Sequence, residues 1–301
     1  MTTATPRTIP AWLGVASVAI GATILGSAAI FARLAYDGGA DTVTLLAIRF
    51  TVMAAAMFAA ARAFGLPLRP PRRLWPGVAA VGVVFGLSTY GYIGAVAYIP
   101  VSLSVPIIYT YPLIVAAIAR VVNDEPFGVV KWLAVLVAFA GVAVMLGVSF
   151  DGLDGRGVAL AFLGAITFAL ATIGGARLMR EIPVPVLIAH MSAIAAVGFV
   201  AAGIAAGGFV PPATPLGWVG VAGVTAAFLF GFLGFFIAVR VIGETRSAVI
   251  SNLEPVASVL GAIAILGERL TPAVAAGALM VLGGILALLA EDARPRRRAP
   301  L

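Results

Sequence analysis

Glu254 and Pro255 stand side by side in the apolar run SNLEPVASVLGAIAILGERL, residues 251–270. The chain has twelve acidic residues, and Glu254 is the one that falls well inside such a run. A carboxylate at that depth in hydrocarbon costs a few kcal/mol, so it must meet a partner or a polar cavity. Two chemistries suit it. It is either a structural acid bonded to nearby backbone, or a cavity group that takes a substrate amine or a proton. Pro255 removes one helical donor and disturbs the carbonyl four residues before it, and Pro112 repeats the pattern earlier in the chain. Two helix breaks of this kind either free carbonyls toward a central site or merely kink their helices for packing.

Arg49 is the one basic residue clearly inside an apolar run. A guanidinium stays protonated in a protein, so it must pair or reach water. It could grip a substrate carboxylate bidentately, snorkel to the surface or form a structural ion pair. Tyr92, Tyr109 and Tyr111 lie too deep for an interfacial belt. Tyr92 shares a face with Ser88, whereas Tyr90 lies on the stripe of Gly82, Gly86, Gly94 and Tyr98, which suits close helix contact. Tyr109 and Tyr111 flank Pro112, and Asn252 precedes Glu254 by two residues. The candidate binding set is therefore Arg49, Tyr92, Tyr109, Tyr111, Asn252 and Glu254. The single histidine, His190, is expected to be a satisfied polar group near one interface. The phenylalanines of FLFGFLGFF, residues 228–236, are expected to be packing and lipid-facing bulk.

These residues need elements to hold them. Of 301 residues, 62% are apolar and 10% are charged, against about one quarter charged in soluble domains. The natural solvent is a bilayer. Ten apolar runs have spanning length: 12–35, 42–64, 75–97, 103–122, 129–148, 157–178, 186–206, 217–241, 247–266 and 273–290. All ten should be helices, because an open sheet edge in lipid leaves backbone groups unpaired. The first run is too long for a cleaved signal peptide, so it is expected to remain in the mature protein. There is no cysteine, hence no disulfide or thiolate chemistry.

An offset of 143 residues relates the two halves. GVASVAIGA from Gly14 matches GVALAFLGA from Gly157, and the same offset joins Ile99 to Ile242, Pro112 to Pro255, Glu125 to Glu268 and Gly141 to Gly284. The expected division is 1–150 and 151–301, five spans each, with a basic tail on the second. Five is odd, so the second copy enters the membrane from the opposite side, as an inverted repeat. With a cytoplasmic N-terminus, fifteen of the nineteen Lys and Arg fall on the inside, three (Arg33, Arg156, Arg269) fall outside, and Arg49 lies in a span. The positive-inside rule therefore puts both termini in the cytoplasm.

The stretches LEPVASVLGAIAILGERLTPAVAAGALMVLGGILAL and YIPVSLSVPIIYTYPLIVAAIARVVNDEPF, together with LLAIRF, resemble the EamA-type units of the drug/metabolite transporter superfamily. The first half departs from the second where it reads NDEPF against LGERL. The resemblance implies an all-α membrane protein of ten helices, in two inverted five-helix repeats around a central cavity. It implies secondary export of small organic solutes across a bacterial-type inner membrane. Substrates of that superfamily include amino acids, other metabolites, sugars and drugs. The aromatic candidates look most like its amino-acid exporter branch, for aromatic or other neutral amino acids. The expected partners are a small-molecule substrate and the lipid bilayer, with the chain a monomer that binds no nucleic acid. No cofactor and no metal are expected. A membrane-embedded transferase would need paired carboxylates or a His–Asp dyad within the spans, and one glutamate with one marginal histidine supplies neither. No GxxxxGK loop is present for ATP-driven pumping.

Overall fold

The computed structural model describes residues 10–111, 154–242, 253–267 and 269–292, with separate positions between 114 and 144 and at 250. The described elements are helices: α1 (Ala11–Gly26), α2 (Ala28–Asp37), α3 (Thr42–Ala63), a 3-10 turn (Arg72–Leu74), α4 (Trp75–Val96), α5 (Val101–Ile108), α6 (Gly155–Leu178), α7 (Val184–Ala205), α8 (Pro215–Ile242), α9 (Leu253–Leu266) and α10 (Pro272–Asp292). No strand occurs among the described residues. Six segments there are long and apolar enough to cross a membrane: Ala11–Asp37, Thr42–Ala63, Arg72–Val96, Gly155–Gly175, Val184–Ala205 and Pro215–Phe235. The expected spans 103–122 and 129–148 fall partly outside the described residues.

Local signals start and stop the helices where the polar punctuation stands. Asp41 caps α3, its carboxylate accepting from the Thr44 N–H at 2.6 Å, and Asp154 caps α6 by accepting from the Arg156 N–H at 2.9 Å. At the end of α3 Gly65 takes φ +65° and the Leu66 N–H returns to the Ala61 carbonyl at 2.9 Å. Gly207 ends α7 in the same way, with φ +93° and the Gly208 N–H on the Gly203 carbonyl. Only glycine adopts that conformation without strain. The first expected span, 12–35, is not one continuous helix. It breaks between α1 and α2 at Ser27, whose hydroxyl donates to the Ile24 carbonyl at 2.6 Å. A serine bonding back to its own turn competes with the helical ladder.

The halves interlock through paired helices. Gly91 of α4 meets Gly164 of α6, where an added β-carbon would stand 2.4 Å from the Gly164 nitrogen and 2.6 Å from the Leu160 oxygen. At the same 143-residue offset, Gly234 of α8 meets Gly21 of α1, with a β-carbon 2.5 Å from the Ser17 oxygen. Swapping each partner for its repeat mate turns one contact into the other, which is what a pseudo-two-fold axis demands. Without a hydrophobic drive between helices in lipid, such small-residue contacts supply the packing. α3 crosses α7 near the centre, with Phe50 stacked on Phe199 at 5.7 Å. Val83, Val197, Ile204 and Leu279 stand exposed on the perimeter, an arrangement that water penalises and lipid does not.

The interlock is pinned at both ends. At one end, the Val210 N–H donates to Thr44 Oγ1 at 2.8 Å, and the Ala213 N–H donates to the Gly38 carbonyl at 2.8 Å. At the other, Arg73 and Glu181 form an ion pair.

Candidate functional site

Three helices bring side chains together: Ser88 of α4, Phe168 of α6 and Phe228 of α8. They line a cavity of about 130 Å³ together with Leu25 of α1, Ile108, Tyr109 and Tyr111 around the end of α5, and Glu254 of α9. A hollow near that size accommodates a benzene ring.

The lining follows the repeat. Leu25 and Phe168, Phe85 and Phe228, Thr89 and Phe232, Tyr92 and Phe235, and Tyr111 and Glu254 are mates at 143 residues. A hollow lined by both members of five mate pairs lies on the pseudo-two-fold axis. Its chemistry is nevertheless one-sided. The first repeat contributes the hydroxyls of Ser88, Thr89, Tyr92, Tyr109 and Tyr111; the second contributes Phe168, Phe228, Phe232, Phe235 and the single carboxylate.

α5 ends at Ile108, and Tyr109 and Thr110 turn away from helical geometry. Pro112 supplies the reason: it has no N–H to give the Ile108 carbonyl. The turn brings Tyr109 edge-on to Tyr111 at 6.0 Å, and Tyr111 edge-on to Phe168 at 4.6 Å. Glu254 lies in the first turn of α9, and the Tyr109 hydroxyl donates to its carboxylate. That turn is held by a backbone approach. A β-carbon on Gly26, at the end of α1, would stand 2.7 Å from the Glu254 carbonyl oxygen. Pro255 lies on the same first turn, where a missing N–H costs least. Pro112 itself and Asn252 lie outside the described residues.

Tyr92 lines the cavity with a buried hydroxyl whose polar neighbour is the Ser258 hydroxyl. Tyr90 stacks on Phe199 at 6.2 Å instead. His190 is buried, its Nδ1 2.8 Å from the Val186 carbonyl, with Phe58 and Trp75 edge-on to the imidazole at 5.0 and 5.2 Å. It lies away from the cavity.

The expectation for the 228–236 phenylalanines needs correction. Phe228, Phe232 and Phe235 line the cavity, while Phe230 faces outward, 56% exposed. Helical period explains the split: i, i+4 and i+7 share one face, and Gly231 and Gly234 on that side let α8 close against α1. The 143-residue offset makes Phe235 the mate of Tyr92, but it does not say which way that ring faces.

Arg49 neither snorkels nor joins an ion pair among the described residues. It is fully buried on α3, and Nε, Nη1 and Nη2 all lack hydrogen-bond partners. Its guanidinium carbon lies 4.4 Å from the Phe50 ring centre and 3.5 Å from that of Phe228. Cation–π contact gives about 2 kcal/mol when desolvated, less than the several kcal/mol that burying an ion costs. Phe228, a cavity residue, stands between the charge and the hollow. The repeat mate of Arg49 is Ser192, also fully buried with an unpartnered hydroxyl.

A model of the EamA-like transporter family matches residues 12–147 and 155–290. No curated protein matches the chain. Among solved structures 23 chains match. One, described only as a crystal structure of a protein, superposes with a TM-score of 0.66 at 20% identity, covering 91% of this chain and 97% of its own. At that identity the likeness speaks for the fold.

Proposed function

From the premise that the chain belongs to the EamA-like transporter family, we propose that it exports neutral amino acids, aromatic ones among them, or closely similar small metabolites, by alternating access and without catalysis. The observation that carries this reading is the on-axis cavity, which sets Glu254 and Tyr109 among phenylalanines. A carboxylate beside a hydroxyl suits an ammonium group. Phe168, Phe228, Phe232 and Phe235 suit an apolar or aromatic side chain, with stacking adding to area burial. The protein acts as a monomer in a bacterial-type inner membrane with both termini cytoplasmic, in keeping with the fifteen inside bases. The repeats rock about the axis that the cavity occupies.

The test is counterflow of radiolabelled L-phenylalanine, L-leucine and L-alanine in proteoliposomes holding the wild type or Glu254→Gln. Saturable exchange of at least one amino acid by the wild type, reduced tenfold or more in the variant, supports the reading. If no amino acid exchanges while a neutral sugar or an organic cation does, the amino-acid reading is wrong.

A further inference from the structure

Every other basic side chain placed by the described residues has water or an acid to face. Arg33 donates to the Val96 carbonyl at 2.9 Å and lies 3.5 Å from Asp37. Arg73 pairs with Glu181 and Arg156 with Asp154. Arg49 has only rings. A guanidinium is planar, always charged, and carries five donors in a fork that matches a carboxylate. None of these donors is used.

We propose that Arg49 is a latent carboxylate site, closed in this conformation by the ring of Phe228 and opened into the cavity when that ring swings aside. The inference deepens the reading above and rests on it for the cavity being a solute site. Phe228 belongs to both environments: one part of its ring lines the hollow and its face covers the guanidinium at 3.5 Å. One rotamer change on α8 would therefore exchange a weak aromatic partner for a charged one. Glu254 and Arg49 would then supply the two charges a zwitterion needs, the ammonium at Glu254 and the carboxylate at Arg49. Phe228 becomes a selectivity element, since only a solute that brings an anionic group gains by displacing it. Phe50 stays against the other side of the guanidinium at 4.4 Å and keeps its plane in place.

Two probes isolate the charge: 3-phenylpropionate, which has a ring and a carboxylate, and phenethylamine, which has a ring and an ammonium. Their binding to the purified full chain is measured by calorimetry for the wild type, Arg49→Gln, Phe228→Leu and the double variant. Arg49→Gln should weaken 3-phenylpropionate by about tenfold to a hundredfold, the range of a charge-assisted pair. It should leave phenethylamine within about twofold, and this unchanged binding shows that the variant is folded. Phe228→Leu should raise the ratio of 3-phenylpropionate to phenethylamine affinity by about threefold or more, and only while Arg49 is present. Equal 3-phenylpropionate affinity in the wild type and Arg49→Gln overturns the proposal. So does a Phe228→Leu gain that survives without Arg49, or no 3-phenylpropionate binding by either the wild type or Phe228→Leu. Should Arg49→Gln not fold, Arg49→Lys serves: a point charge cannot make the bidentate pair, and unchanged affinity there counts against the site. Acid binding through Arg49 without any amino-acid exchange would sink the exporter reading alone. Amino-acid exchange indifferent to Arg49 would sink this inference alone.

Discussion

Gly91 and Gly164 touch backbone to backbone, and their repeat mates Gly234 and Gly21 do the same across the pseudo-two-fold axis. The two contacts fix how α4 and α8 approach the cavity, because Ser88, Thr89 and Tyr92 lie on one helix and Phe228, Phe232 and Phe235 on the other. Backbone cannot yield as a flexible side chain can. Gly91→Ala should destabilise the fold by about 1–3 kcal/mol or more, and Gly234→Ala should do likewise. Gly283→Ala, where nothing lies within 4 Å, should leave stability unchanged or slightly raised. Thermal unfolding in detergent checks the contrast.

Gly26 controls the carboxylate at one remove. Its absent β-carbon leaves room for the Glu254 carbonyl, Ala257 and the Ser258 nitrogen. Gly26→Val should push the first turn of α9 away from Tyr109, lowering solute affinity by about tenfold while the protein still reaches the membrane. Expression level and counterflow, measured together, separate this from simple misfolding.

The phenylalanine wall sets size selection. Phe232→Ala should shift preference toward the larger of two solutes, such as tryptophan over alanine, by about tenfold, since a change of side-chain volume in an apolar pocket gives 1–3 kcal/mol. Phe230→Ala, on the outward face, should shift it little. Competition against a labelled solute reads both.

The two end pins should differ in worth. Thr44 is buried and accepts from the N–H of the half-exposed Val210, so Thr44→Val should cost about 0.5–1.5 kcal/mol, the net contribution of one hydrogen bond. The Arg73–Glu181 pair is exposed, at 71% and 40% of the two side chains, so Glu181→Gln should cost about 0–1 kcal/mol. Chemical denaturation of the two variants side by side decides the order.

Asp154 gives the pH prediction. Hydrogen bonds from Arg156 hold its carboxyl below the ordinary carboxylate range. A depressed folded-state value means that the contribution is present above the unfolded value, near 4, and is lost as pH falls below it. The thermal midpoint of Asp154→Ala should lie below that of the wild type at neutral pH, and the gap should narrow steadily as pH falls below about 4. A gap that does not narrow at all on acidification would assign the effect to something other than the charged cap.

The one-dimensional pattern was sufficient for much of this protein. Hydropathy and charge alone demanded a bundle of spanning helices, since hydrocarbon forbids unpaired backbone. The 143-residue offset and the odd span count per copy demanded an axis between two inverted halves. Glu254, Tyr92, Tyr109 and Tyr111 stood out because polar groups are costly at that depth, and the structure brings all four to one hollow. Facing direction was decided only in three dimensions. Arg49 was legible as an anomaly, yet its solvent-free seat between Phe50 and Phe228 comes from how α3 and α8 cross. Phe228, Phe232 and Phe235 read as bulk because an apolar residue costs the same against lipid as against a cavity. A glutamate announces itself wherever the membrane is its neighbour, but a phenylalanine acquires its role only from the helix it happens to face.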